Sequence, residues 1–388
     1  MVPRSALPTL YSLAEGYPIL VVTGPRQSGK TTLVQAAFPE KAYASLETPD
    51  ERAFAVEDPK GFLARFPDGV IIDEAQHCPA LFSYLETLVD RDRRMGLFVL
   101  TGSQQLGLLS GVTQSLAGRA GALQLLPFPL SELRAAAIEL GDLETLLLRG
   151  LYPPLYDRKL SPSQWYGNYV LSYIERDVRQ IANVHDLNLF QRFLRLCAAR
   201  TGQLLNLSNL GNECRIAQGT ARAWLSVLEA GYIVFRLPPH HRNLGKRVIK
   251  TPKLYFYDTG LAANLLAIQD AGYLAVHPIR AALFETLVVS EWLKRRYNAG
   301  LVSNLYFWRD NVGTEVDLIV EEGSAERPIE IKSSRTVTAE LFAGLRKWLK
   351  YADSQCDAAM LVYAGDQSYT RSGIDVRSWR EIRSLSLS

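Results

Sequence analysis

Gly24-Pro25-Arg26-Gln27-Ser28-Gly29-Lys30-Thr31 fits the pattern G-x-x-x-x-G-K-[ST]. In such a loop the glycines let the backbone wrap tightly, so successive N–H groups and the next helix N-terminus point at phosphate oxygens. Lys30 would set its ammonium between the β- and γ-phosphates of ATP, and the Thr31 hydroxyl would ligate Mg2+, with Thr32 just behind. The bland alternative is a glycine-rich turn ahead of an ordinary helix. A second group, Ile71-Ile72-Asp73-Glu74, ends an apolar run in two acids. Asp73 would hold the same Mg2+ through water, and Glu74 would orient or deprotonate an attacking water. By itself such a pair begins many loops; the upstream loop gives it meaning. Thr101-Gly102-Ser103-Gln104 would bring a hydroxyl and an amide to the γ-phosphate as a sensor. Arg119 is the candidate cation for charge developing on the transferred group, in its own subunit or a neighbour's. A solvated surface arginine accounts for it equally well.

The elements that must hold these residues read as strands alternating with helix-length segments. Residues 18–24, 69–75 and 96–103 are short apolar runs suited to buried parallel strands, and 122–128 suggests another. Helices are expected at 31–38 and 80–90. The fold class implied is α/β with a parallel sheet of the phosphate-loop type. A proline-rich, polar stretch at 151–163 reads as a linker, followed by an amphipathic helix over 165–200 in which Tyr169, Tyr173, Ile174 and Val178 recur at helical spacing. Strands are expected at 232–237, 254–258, 305–309, 315–320, 328–332 and 358–363, with helices at 279–297 and 339–352.

The chain has 388 residues, enough for two or three domains at about 100–200 residues each. The expected divisions are 1–150, 151–271 and 272–388. Forty-three basic residues against 40 acids leave a net charge of +3, so a nucleic-acid partner needs a local basic patch rather than the total. At 47% hydrophobic and 21% charged, the composition excludes wholesale disorder and coiled coil. Cys78, Cys197, Cys214 and Cys356 show no metal-ligand spacing and read as free thiols in a reducing compartment. No run approaches the roughly 20 apolar residues of a membrane span, and the opening segment lacks a signal-peptide core. A soluble, cytoplasmic protein is expected.

The order GPRQSGKTT, IIDEAQ, LTGSQ and SLAGR resembles prokaryotic AAA-superfamily ATPases that carry a C-terminal domain of unknown function. Residues 253–266, Phe284-Glu285, residues 308–320 and 329–334 extend the likeness over nearly the whole chain. The resemblance implies an ATPase core, a winged-helix middle and a nuclease-like α/β C-terminal domain.

Residues 204–237 read helix, turn, helix, strand, with Leu207, Leu210, Ala221, Leu225 and Leu228 forming a small core and Ser208 as an N-cap. Gln218, Thr220 and Arg222 would open the helix that enters a DNA major groove. The next loop gathers His240, His241, Arg242, Lys246, Arg247, Lys250 and Lys253 without an acid, as phosphate contacts along a duplex require. Domain packing is the alternative use. Farther on, Glu330 and Lys332 lie two apart on one strand face, with Ile329 and Ile331 opposite. With Asp317 they look like a PD-(D/E)xK nuclease signature, in which Asp317 and Glu330 would ligate Mg2+ and Lys332 would assist water. The resemblance adds Glu285 as a further metal-binding acid. Two functions fit: an ATP-driven DNA-processing machine, assembled as a homo-oligomer such as a hexameric ring, or a nucleotide-gated scaffold that regulates a protein partner.

Overall fold

The computed structural model describes residues 2–103, 116–174, 186–240, 251–310, 312–323, 325–352 and 359–384. Gln104, Ser115, His241, Arg242, Lys246, Arg247, Lys250, Cys356 and residues 175–185 of the expected long helix lie outside them.

Five parallel strands form the first sheet: β1 Ile19–Thr23, β2 Ala42–Ser45, β3 Val70–Asp73, β4 Phe98–Gly102 and β5 Ala120–Gln124, in the order β2-β3-β4-β1-β5. β1 is buried at every position because helices cover both faces of the sheet. Ile19, Val21, Ile72 and Leu100 pack to one side with Phe82 and Leu85, while Leu20, Val22, Ile71 and Val99 pack to the other with Leu33 and Val34. β4 lies between β1, which leads into the phosphate loop, and β3, which ends in the acids. Thus both chemical groups emerge at the carboxyl end of the same parallel sheet, on strands that flank β4, where open α/β sheets bind ligands.

The packing changes partner at Leu126, not near residue 150. Leu123 and Leu125 belong to the first sheet, whereas Leu126 through Leu155 join the core of the following region. The expected linker is correspondingly no linker. Leu151, Tyr152 and Leu155 are buried, and the Leu151 amide donates to Asp258 Oδ2 at 2.7 Å. Its prolines instead start the short helices Pro154–Asp157 and Pro162–Tyr169, a favoured use of proline in a first turn.

Helices Leu187–Ala199, Leu207–Cys214 and Gln218–Ala230 accompany a small antiparallel sheet, β6 Gln203–Leu204 between the first two helices, then β7 Val234–Leu237 and β8 Lys253–Phe256 after the third, ordered β6-β8-β7. Leu210, Ala221, Leu225 and Leu228 are buried as expected. The N-cap is Asn206, whose side chain accepts from the Asn209 amide at 3.0 Å, not Ser208.

The last region is a six-stranded mixed sheet, β9 Leu305–Arg309, β10 Glu315–Glu322, β11 Ala325–Lys332, β12 Met360–Tyr363, β13 Tyr369–Arg371 and β14 Ile374–Ser378, ordered β13-β14-β12-β11-β10-β9. Helix Arg280–Asn298 covers one face through Leu287, Val288 and Trp292. The other face takes Phe342, Leu345 and Trp348. The segment expected as one helix over 339–352 is a 3-10 turn, Ala339–Phe342, followed by helix Ala343–Ala352. The Cys78, Cys197 and Cys214 thiols are free and buried. No described helix is long and apolar enough to cross a membrane.

Candidate nucleotide site and two distal acid clusters

The loop after β1 has the backbone its sequence requires. Gly24 has φ +149°, and a Cβ there would lie 2.1 Å from the Leu125 carbonyl oxygen just beyond β5. Gly29, at φ +91°, starts helix Lys30–Ala37 without any side-chain cap. The first amides of that helix have no partner inside it, which leaves an anion-binding end. The Ser28 hydroxyl is buried and makes no hydrogen bond among the described residues. Pro25 and Arg26 are buried beside it, Gln27 is half-buried and Thr32 is exposed. Lys30 is 6% exposed, and its ammonium donates to the Gly24 and Pro25 carbonyls at 2.9 and 2.8 Å. Burial lowers its pKa to about 8 against the attraction of Glu74 and Asp73.

The acids face this lysine. Thr31 Oγ1 donates to Asp73 Oδ2 at 3.1 Å, so the expected metal-binding pair is already joined. Tyr43 also donates to Asp73 Oδ2, at 2.8 Å, and the Thr101 hydroxyl bonds its other oxygen. Glu74, in a left-handed conformation with φ 54°, turns back into the site and is 8% exposed. Its burial favours the protonated form, but Lys30, Arg26 and donors from Gln76 and Ser103 outweigh it and hold the pKa below the ordinary value. Glu74 is therefore a carboxylate at neutral pH, as a water-activating base must be. These oxygen donors, the orphaned Ser28 hydroxyl and the uncapped helix end suit a triphosphate with Mg2+.

Two expectations change. Ser103, expected at the γ-phosphate, is engaged by an acid; its amide and hydroxyl donate to Glu74 Oε2 at 3.2 and 3.0 Å. The hydroxyls of β4 orient the two acids, Thr101 serving Asp73 and Ser103 serving Glu74. Arg119 lies at the opposite end of the sheet. Its carbonyl accepts from the Ile19 amide at the start of β1, roughly 15 Å by strand rise from the loop that follows Thr23. There it pairs with Asp90 at 2.7 Å and Glu86 at 3.3 Å, so it does not reach its own subunit's loop. Arg4 went unnoticed in the sequence. It donates to the Ser28 carbonyl at 2.6 Å and the Leu126 carbonyl at 2.7 Å and pairs with Glu132 at 2.8 Å. Two further contacts tie the loop to the middle region. Thr23 and Tyr232 share a hydroxyl bond of 2.7 Å, and Trp165 Nε1 donates to Gln27 Oε1 at 3.2 Å.

In the C-terminal sheet, Glu285, Glu315 and Asp317 bring carboxylate oxygens within 4.8 Å of one another. Glu315 replaces Glu330 in that trio. It stands two residues before Asp317, a spacing that places both on one strand face and could have exposed it in the sequence. Lys253 sits among them, 2.9 Å from Glu285 and ion-paired to Glu315. Its burial disfavours the charge, yet Tyr255 and the acids raise the pKa well above the ordinary value. Glu330 lies next door, 2.6 Å from Lys332, which also reaches Asp317 at 3.3 Å. One ammonium thus serves two buried carboxylates. Burial and Asp317 push Glu330 upward against Lys332, and Glu330 Oε2 has no hydrogen bond among the described residues. Asp317 is fixed by the Ile331 amide at 2.8 Å.

Of the expected DNA contacts, Gln218 and Arg222 are exposed and Thr220 half-buried in the first turn of helix Gln218–Ala230. His240 and Lys253 at the loop's two ends are not phosphate contacts. Both are buried, 3% exposed each, against acids of the C-terminal region.

Comparison with known proteins matches residues 16–134 to an AAA domain, 140–272 to a domain of unknown function (DUF8612) and 280–382 to another (DUF4143). Uncharacterized proteins of Mycobacterium tuberculosis and Mycobacterium bovis are each 32% identical over 94% of this chain and 81% of their own length. Among solved structures, a Walker-type ATPase of Pyrococcus abyssi is 16% identical, covering 67% of this chain and 94% of its own with a TM-score of 0.45. AMPPCP-bound DnaA from Aquifex aeolicus is 18% identical, covering 58% of this chain and 84% of its own with a TM-score of 0.30. At such scores the fold rests on the strand order described above. The chain belongs to the P-loop ATPases that join an AAA domain to the C-terminal domain of unknown function DUF4143.

Proposed function

We propose that the protein is a Mg2+-dependent ATPase that binds DNA, branched forms included, and remodels or processes it as a homo-oligomer. The observation that carries this reading is the desolvated Lys30 ammonium, resting on loop carbonyls and facing Asp73 and the ionised Glu74. Bound ATP with Mg2+ supplies the anhydride to be broken and a counter-charge. Lys30 would leave the carbonyls for phosphate oxygens, and Thr31 and Asp73 would hold the ion. Glu74 would take a proton from water, with Ser103 and Gln76 fixing its orientation until then. Arg119 would serve a neighbouring subunit.

The Thr23–Tyr232 and Gln27–Trp165 contacts support transmission of the nucleotide state to the helix pair, with its exposed Gln218 and Arg222 and half-buried Thr220. Arg242, Lys246, Arg247 and Lys250 would add phosphate contacts. Glu285, Asp317 and Glu330, now with Glu315, would form a nuclease-like metal site with Lys332 beside the attacking water. The test is the ATPase rate with single-stranded, duplex and junction DNA, for the parent protein and Lys30→Ala. Stimulation that depends on DNA form and vanishes in the variant is expected. Hydrolysis unaffected by any DNA, with no salt-sensitive DNA binding, would reject the DNA reading and leave the ATPase.

One observation favours the nucleotide-gated scaffold instead: Lys253 already stands where a cation would neutralise Glu285 and Glu315. On that reading the parent protein cleaves no DNA at any Mg2+ concentration. On the nuclease reading cleavage occurs and is lost in Asp317→Asn and Lys332→Ala.

A further inference from the structure

His240 ends the segment that crosses from the middle region onto β9. Its amide donates to the Phe307 carbonyl at 2.7 Å, and the Phe307 amide donates to the Pro238 carbonyl at 3.1 Å. The backbone is thereby held as if it were another strand. The ring is wedged edge-on to Tyr306 and Trp348, with centroids 5.7 and 5.2 Å away. From there His240 Nε2 points at two carboxylates, Glu321 Oε1 at 3.1 Å and Glu326 Oε1 at 3.3 Å. Glu321 and Glu326 are directly opposed across β10 and β11. Like charges so placed repel, and the His240 ring nitrogen stands within reach of both.

We propose that His240, Glu321 and Glu326 form a divalent transition-metal site, best suited to Zn2+. Donors bonded at about 2.0–2.2 Å to a tetrahedral ion lie roughly 3.3 Å apart, which is the spacing found around Nε2. An imidazole joined to two carboxylates selects Zn2+ over the all-oxygen cations Mg2+ and Ca2+ and balances its two charges. The Tyr306 hydroxyl bonds Glu321 and so orients a ligating carboxylate, as outer partners of metal sites do. Glu321 is the half-exposed member at 39%, leaving a water-accessible side for a fourth ligand. The site is separate from the Glu285–Glu315–Asp317 cluster, since Glu321 lies four residues beyond Asp317, roughly 13 Å along β10. Its ion would pin the segment leading into residues 241–250 to the C-terminal sheet.

The test uses the full chain, stripped with chelator and titrated with Zn2+ by calorimetry, with Co2+ absorption as a second readout. One ion per chain is expected to remain in Asp317→Asn and Glu285→Gln. His240→Gln and Glu326→Gln should weaken it by at least about 100-fold, more than loss of an outer partner costs. Glu321→Gln, at the half-exposed position, should weaken it likewise without disturbing the packed ring. Zn2+ should also raise the melting temperature of the parent protein but not of Glu321→Gln. Absence of Zn2+ binding overturns the proposal, as does binding unchanged in both His240→Gln and Glu321→Gln, or binding lost only in Asp317→Asn.

Discussion

Lys30 and Lys253 are both buried beside carboxylates, yet their environments drive them in opposite directions. Lys30 is lowered to about 8 because burial strips its ammonium of water, while its direct partners are neutral carbonyls and the acids act from farther away. Lys253 is raised because Tyr255 and the acids, Glu285 and Glu315 in direct contact, outweigh its burial. The difference lies in who completes the charge balance. In the loop an external polyanion must do so, whereas around Lys253 the chain has done so itself. Residue type and burial alone therefore do not mark a site for a ligand; the identity of the partner does.

Removing each lysine should separate the two cases. Lys30→Ala should lower ATP turnover by roughly 10²–10³-fold, measured by phosphate release, with little change in melting temperature. The opposite pattern is expected for Lys253→Met. Leaving buried Glu285 and Glu315 without their ammonium should cost about 3–5 kcal/mol in urea denaturation while ATP turnover persists. Equal effects of the two variants on turnover would break the comparison.

A pH series sharpens it. Lys30 titrates near 8 when folded and at its ordinary, higher value when unfolded, so between these limits the unfolded chain binds the extra proton. Nucleotide-free protein should gain stability as pH rises above about 8. ATP affinity should fall there by up to about tenfold per pH unit, because the ligand needs the ammonium. Both trends should vanish in Lys30→Met, and chemical denaturation with nucleotide titration would show it. The smallest effect is expected for Tyr232→Phe. Loss of its bond to Thr23 should cost about 1 kcal/mol, and if the contact transmits nucleotide state it should weaken DNA stimulation more than basal hydrolysis.

The loop was legible because its chemistry is local: Gly24, Gly29, Lys30 and Thr31 act through backbone shape and a helix end that begins within the motif. Asp73 and Glu74 were legible for a related reason, since an apolar strand ending in acids places them by sheet polarity alone. The partners that tune them were not. Arg4, Tyr43 and Glu132 reach the site from distant segments, and nothing in their neighbours forecasts it. Arg119 looked close by chain order, but parallel strands return to the same end after each crossover, so a residue just before β5 lies far from one just after β1. The basic loop misled differently. A run of cations suggests solvent, yet His240 and Lys253 find their counter-charges across the chain on β10, β11 and helix Arg280–Asn298. Glu315 needs the alternation of its own strand to stand out, two residues before Asp317.

The apolar core that begins at Leu126 continues through the helix pair to Ile329 and Val362 of the last sheet. Cutting the chain between its second and third recognisable modules would strip Leu283, Leu287 and Trp292 of neighbours and leave two greasy halves. Those modules should melt as one cooperative body and be inherited as one cassette. Genetic dissection will work best with point changes rather than with scissors.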